Sequence, residues 1–240
     1  MKNSTIIIFL VMFFSSALLM LSSCSKKADD NNPAPTPGTV TDIDGNVYHT
    51  VTIGTQVWMV ENLKTTKYKN GISIPLVTDD VAWGSSITPG YCWYNNDAAN
   101  YKNTHGALYN WYVVNTGILA PVGWHVPTNA EWTILTTYLG GKTIAGGKMK
   151  STGTIEAGTG LWYSPNTGAT NESGFTAVPA GCRDSYGTFG TVGINGTWWS
   201  FSESITNYAL SWYLSCDYIA AGSASYYKNY GFSMRCVKDM

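Results

Sequence analysis

The segment Asn195-Gly196-Thr197-Trp198-Trp199-Ser200-Phe201-Ser202-Glu203 places two indole rings beside an amide and a carboxylate, and Tyr208, Trp212 and Tyr213 follow closely. Sugars offer apolar ring faces edged with hydroxyls, so aromatic faces next to planar hydrogen-bonding groups suit them. Asn195, Trp198, Trp199, Glu203 and Trp212 are therefore the candidate ligand-binding residues. Tryptophan also fills cores, and the expectation is that one of Trp198 and Trp199 is buried while the other meets the ligand.

Catalytic signals are sparse. There is no Gly-x-Ser-x-Gly elbow and no phosphate loop. His49, His105 and His125 stand far apart, and His125, next to Trp124 on the approach to a helix, reads as a packing and hydrogen-bonding residue. Glu131, Glu172, Asp184, Glu203 and Asp217 are scattered, so a hydrolase using Glu203 or Asp217 is the alternative to a binding protein. Asp42-x-Asp44-Gly45-Asn46 imitates part of a calcium loop, but Ile53 stands where an EF-hand needs its bidentate glutamate. That segment reads as a hairpin turn; no cofactor is expected, and calcium stays open with its site unassigned. Cys92, Cys182, Cys216 and Cys236 lack C-x-x-C spacing and do not cluster with histidine, which argues against a thiolate metal site.

The cysteine count depends on the compartment, which the N-terminus indicates. Lys2 precedes an apolar run from Ile6 to Leu21 that ends in Leu21-Ser22-Ser23-Cys24. That order reads as an export signal over residues 1–23 with a lipobox, making Cys24 the lipid-bearing first residue of the mature chain. Residues 24–39, with Pro33, Pro35 and Pro37, read as an extended tether. The basic-then-acidic stretch after Cys24 resembles the surface-export signal of Bacteroidetes lipoproteins, and Ser25 replaces the Asp of inner-membrane retention. The expected location is the outer membrane, facing outward, where four thiols can form two disulfides in three possible connectivities.

Loss of Lys2 leaves 13 basic against 15 acidic residues, a balance without the electrostatic footprint of a nucleic-acid binder. Charged residues make up only 12% of the chain, against 14% aromatic, so the surface must be built from uncharged polar groups and rings. The expected partners are the membrane, through the lipid, and a glycan or envelope protein.

Positioning these groups requires a domain over residues 40–240. Alternating β-branched residues around Asp44-Gly45-Asn46 and Gly54-Thr55 predict short strands joined by tight turns. Apolar spacing through Ala107, Leu108, Trp111 and Tyr112 predicts a helix over about 104–115. A second helix opens at Thr128 with a Thr128/Glu131 capping box, carries Trp132, Leu135 and Leu139, and stops at Gly140-Gly141. Beyond Lys142 the chain reads as loops and short strands.

Several motifs then follow in order: Tyr91-Cys92-Trp93-Tyr94-Asn95-Asn96-Asp97, Gly106-Ala107-Leu108-Tyr109-Asn110-Trp111, Gly123-Trp124-His125-Val126-Pro127-Thr128, Gly174-Phe175-Thr176-Ala177-Val178-Pro179-Ala180-Gly181, Trp198-Trp199-Ser200 and Ser233-Met234-Arg235-Cys236. Together they resemble the Fibrobacter succinogenes major paralogous domain, a family of surface and secreted lipoproteins without an assigned activity. More distantly, Asn110-Trp111, the capped Glu131-Trp132 helix and the terminal Arg235-Cys236 resemble the formylglycine-generating enzymes. That likeness implies an α+β, C-type-lectin-like domain with two helices, short twisted antiparallel strands, long loops, and both termini in one small sheet. The oxidase's cysteine pair would fall at Tyr226 and Gly231, so the chain lacks the thiols for that chemistry. The family motifs hold Cys92 and Cys236, which implies a Cys92–Cys236 bridge and a second between Cys182 and Cys216.

Overall fold

The computed structural model describes residues 38–240, so the leader, Cys24 and nearly all of the tether lie outside the described residues. In chain order the elements are β1 (Gly38–Thr41), β2 (Val47–Ile53), β3 (Gln56–Met59), α1 (Asp80–Gly84), β4 (Tyr91–Cys92), α2 (Ala98–His105), β5 (Leu108–Tyr109), α3 (Trp111–Val114) and β6 (Trp124–His125). Then come α4 (Asn129–Tyr138), α5 (Lys142–Met149), β7 (Ala180–Arg183), β8 (Phe189–Val192), β9 (Asn195–Ile205), β10 (Tyr208–Ser215), β11 (Ala221–Tyr227) and β12 (Val237–Lys238). The class is α+β.

One five-stranded sheet runs β1-β2-β3-β12-β6, a second runs β11-β10-β9-β7-β8, and β4 pairs with β5 in a two-stranded sheet. Val237 of β12 pairs with Trp58 on one side and His125 on the other, so the first and last strands share a sheet. The turn between β1 and β2 is the expected hairpin. Asp42 accepts from the backbone N–H of Asp44 and Asn46, from the Asn46 side chain and from the Tyr48 hydroxyl, which uses both its oxygens within the turn.

The two helix expectations fared differently. Over α4 the Thr128/Glu131 capping box forms from both sides, and Trp132 and Leu135 face inward. The predicted 104–115 helix does not exist as one element. Gly106 takes φ 77°, a left-handed value that stops α2; β5 follows, and Asn110 restarts the chain by capping α3. A side chain at Gly106 would meet Asn62 Cβ at 2.7 Å, so close approach to Asn62 breaks the helix. The expectation of only loops and short strands after Lys142 also fails. α5 forms through Gly146 and Gly147, whose missing side chains let it lie directly on the Ala220 and Gly168 carbonyls. These glycines weaken helix propensity, and the tertiary contact overrides it.

β9 lies between two cores. Consecutive strand residues face opposite sides, so Trp198 enters the core of Trp58, Trp132, Phe175 and Trp212, whereas Trp199 enters that of Tyr109, Trp111, Phe232 and Met234. Both indoles are fully buried and bonded: Trp198 Nε1 donates to Asn62 Oδ1 at 2.8 Å, and Trp199 Nε1 to the Tyr109 carbonyl at 2.9 Å. The expectation that one of the pair is exposed is thereby corrected. Trp212 is buried as well, 6.0 Å from Trp132 in a near-parallel stack.

The disulfide expectation is corrected too, since no described cysteine is bonded to another. Cys92 belongs to a small core with Trp83, Tyr94 and Leu108, Cys236 to the Trp199 core and Cys216 to the Trp198 core; Cys182 is half-buried near Thr191. Neither expected partner shares a core with its mate, and a disulfide needs Cα atoms within about 7 Å.

Trp198→Ala and Trp199→Ala should each lower unfolding free energy by ~3–5 kcal/mol, because each empties an indole site in a packed core. Denaturant melts of the two variants check this. A wild-type midpoint for either would remove that residue from the core.

Candidate ligand-binding face

The five predicted ligand residues do not converge. Trp198, Trp199 and Trp212 fill cores. Glu203 is exposed but ion-paired with Lys228, whose ammonium also lies over Trp111, 4.6 Å from the ring centre. Asn195 alone, half-buried at the start of β9, sits beside an open surface.

That surface is the side of the second sheet on which Trp199 points. Register places Asn195, Thr197, Tyr213, Gly222 and Tyr226 on this side, with Cys182 brought alongside by the parallel Gly181–Gly196 pairing. Toward β9's middle the face is sealed by Phe232 over Trp199, ring centres 4.6 Å apart. Beyond Phe232 it opens onto tyrosines. Tyr226 lies 5.1 Å from Tyr230 and 5.0 Å from Phe232, and Tyr213 remains 37% exposed.

Gly222 is what lets Tyr213 lie flat. A methyl there would overlap the Tyr213 ring, so the phenol occupies the space a β-carbon would take and turns its outer face to solvent. Burial raises the hydroxyl pKa of Tyr226, and nearby Cys182, Tyr213 and Tyr230 add to the rise. Burial likewise raises Tyr230, against a hydrogen bond with Ser185 that lowers it. The Cys182 thiol is pushed up by burial, with Thr191 as its hydrogen-bond partner. At neutral pH these groups are uncharged, offering rings, hydroxyls and a thiol but no base or nucleophilic anion.

The histidines are committed elsewhere. His125 Nε2 meets Glu131 at 2.7 Å and Nδ1 meets Asp239 at 2.6 Å. Burial alone would lower its pKa, but the two carboxylates hold it above the ordinary value, and a ring donating from both nitrogens has no lone pair to act as a base. His105, buried, is pushed down to about 4. His49 pairs with Glu61 on the surface. Among the described residues, no three His, Cys, Asp or Glu side chains gather as a metal site.

Residues 51–238, from within β2 to β12 and so including the tyrosine face and nearly all of both cores, match the Fibrobacter succinogenes major domain. The chain belongs to this family. No curated protein and no solved structure matches it. In this member of the Fibrobacter succinogenes major domain family, the sequence motifs mark packing residues. Asn110 accepts from the Gly90 and Val113 N–H groups, and Trp111 Nε1 donates to the Ser200 carbonyl at 3.0 Å.

Reading the sequence for chemistry missed Tyr230 and Gly222, and met Tyr226 only as a replaced cysteine. A signal was present: Gly222-x-Ala224-x-Tyr226 puts two small residues at strand spacing before a ring, the pattern of a face with room for an aromatic neighbour.

Four free thiols are expected in the unfolded domain, with Cys182 the first to react in the folded one because Cys92, Cys216 and Cys236 are buried. Timed alkylation with peptide mapping reads the order. Recovery of any Cys–Cys peptide from the native protein would contradict it.

Proposed function

We propose that the mature chain is a lipid-tethered, non-catalytic binding module of the outer membrane that holds neutral glycan on the tyrosine face. Tyr213 lying across Gly222 beside Tyr226 and Tyr230 is the observation that carries the reading. Stacking faces and uncharged hydroxyls match the apolar and polar sides of a sugar ring. The C-type-lectin-like arrangement belongs to the same proposal, supported by the two terminal strands in one sheet and the α4 helix against β9 and β10.

A non-catalytic role is favoured by the state of the titratable groups. His125 is engaged at both nitrogens, Glu203 is paired with Lys228, and Tyr226 and Gly231 stand where an oxidase needs thiols. The lipid anchor rests on Leu21-Ser22-Ser23-Cys24, and Cys24→Ser should release the protein from membranes.

The test is a glycan array probed with the mature chain carrying Cys24→Ser, with and without calcium. Tyr213→Ala should keep the wild-type melting temperature and weaken binding at least about fivefold, the scale of ~1 kcal/mol at an aromatic anchor. Gly222→Ala should weaken it too by displacing the same ring. Wild-type binding by both variants would remove the tyrosine face as the site. Failure of the parent chain to bind any glycan would replace this reading with a protein-partner role.

A further inference from the structure

A pocket elsewhere in the domain shares no lining residue with the tyrosine face. Its formation begins with an irregularity in β9. Trp199 pairs with Ser211 and Glu203 with Ala209, so three residues of β9 stand opposite Leu210 alone. The bulge breaks the strand's alternation. Phe201 there bonds through its N–H to the Pro127 carbonyl at 2.9 Å and stays 40% exposed. Between Phe201 and the 117–128 segment is a pocket of about 180 Å³, walled by Leu119, Ala120, Val126 and Phe201 together with His125 and Thr128.

The two polar side chains in this wall are engaged with neighbouring residues. Thr128 Oγ1 donates to Glu131 Oε2 at 2.8 Å and accepts from the Glu131 N–H. His125 is occupied by Glu131 and Asp239 on either side. A ligand therefore meets mostly carbon, with the His125 ring held in place between two carboxylates. A hydroxylated group would give up hydration on entering this mostly apolar wall.

The geometry points to this pocket as a binding site for one aromatic ring. Its volume is close to that of the dry apolar cavity of ~150 Å³ that accepts benzene. Phe201 at the mouth supplies a ring for offset or edge contact with an aromatic guest. A saturated ring of the same size would gain the burial but not this contact. The inference is independent of the glycan reading, since none of its residues belongs to the tyrosine face.

The same Cys24→Ser chain, with its methyl groups isotopically labelled, would be titrated by NMR with indole, with N-acetylphenylalanine amide and with cyclohexylmethanol. Saturable shifts at the Leu119, Ala120 and Val126 methyls are expected with the aromatic probes. Cyclohexylmethanol should bind at least about tenfold more weakly. Indole binding alone assigns a free small molecule as the ring's source, and tighter binding of the amide assigns a side chain of a polypeptide. Ala120→Leu, which fills the pocket, should abolish the shifts, and Phe201→Ala, which leaves the core intact, should weaken them. Tyr213→Ala should change nothing. No saturable shift at these methyls, equal binding of cyclohexylmethanol, or shifts that survive in both pocket variants would overturn the proposal.

Discussion

Asn62 commits every hydrogen-bonding group of its amide at the junction of the two cores. Its Oδ1 accepts from Trp198 Nε1 at 2.8 Å and Arg235 Nε at 3.0 Å; its Nδ2 donates to the His105 carbonyl at 2.8 Å and Ser233 Oγ at 3.2 Å. A carboxamide has two lone pairs and two N–H donors, so none is left over. The four partners come from β9, the end of α2 and the C-terminal segment, with Asn62 following the first sheet. Arg235 makes this junction costly to disturb. Its guanidinium is fully buried without a carboxylate partner, held by Asn62, by the Phe175 and Thr176 carbonyls and by the faces of Phe175 and Trp198. Burial pulls its pKa down to about 9, which leaves it charged at neutral pH. A buried charge is tolerable only while its acceptors stay in place.

The position of the tyrosine face follows from this junction. Trp198 bonded to Asn62 sets which way β9 faces, and the next residue, Trp199, must then enter the opposite core. With β9 oriented, antiparallel pairing turns Tyr213, Gly222 and Tyr226 outward on the Trp199 side beyond Phe232. The domain uses two other buried cations similarly. Lys150 donates to the Thr167, Ser215 and Tyr218 carbonyls, and Arg183 to the Val77, Thr78 and Gly187 carbonyls and to Asp80. Apart from Ser215 at the end of β10, the carbonyls they bind lie in connecting segments. In a chain with long loops, these side chains take over part of the work of secondary structure.

Local signals were legible and long-range ones were not. The Thr128/Glu131 box and the Asp44-Gly45 turn rest on residues within a few positions of each other, and both form as their spacing indicates. The break at Gly106 and the helix through Gly146 and Gly147 depend on Asn62, Ala220 and Gly168, distant in sequence. Periodicity alone carries no trace of such approaches. The tryptophans illustrate the same limit: composition drew the ligand-binding assignment to Trp198, Trp199 and Trp212, which the structure buries, while the partly exposed phenols of β10 and β11 went unassigned. Asn62 itself, in Val60-Glu61-Asn62-Leu63, offers no local pattern that separates it from a surface asparagine.

The claim that Asn62 and Arg235 act as one unit is most directly tested by a double-mutant cycle on unfolding free energy with Asn62→Ala and Arg235→Met. Asn62→Ala alone strands a buried guanidinium N–H and an indole N–H, which should cost ~3 kcal/mol or more. With Arg235→Met already present the same change strands no charged group, only the Trp198 indole, the His105 carbonyl and the Ser233 hydroxyl, so the two effects should fall short of additivity by over ~1 kcal/mol. Additivity within ~0.5 kcal/mol, the behaviour of independent sites, would contradict the account.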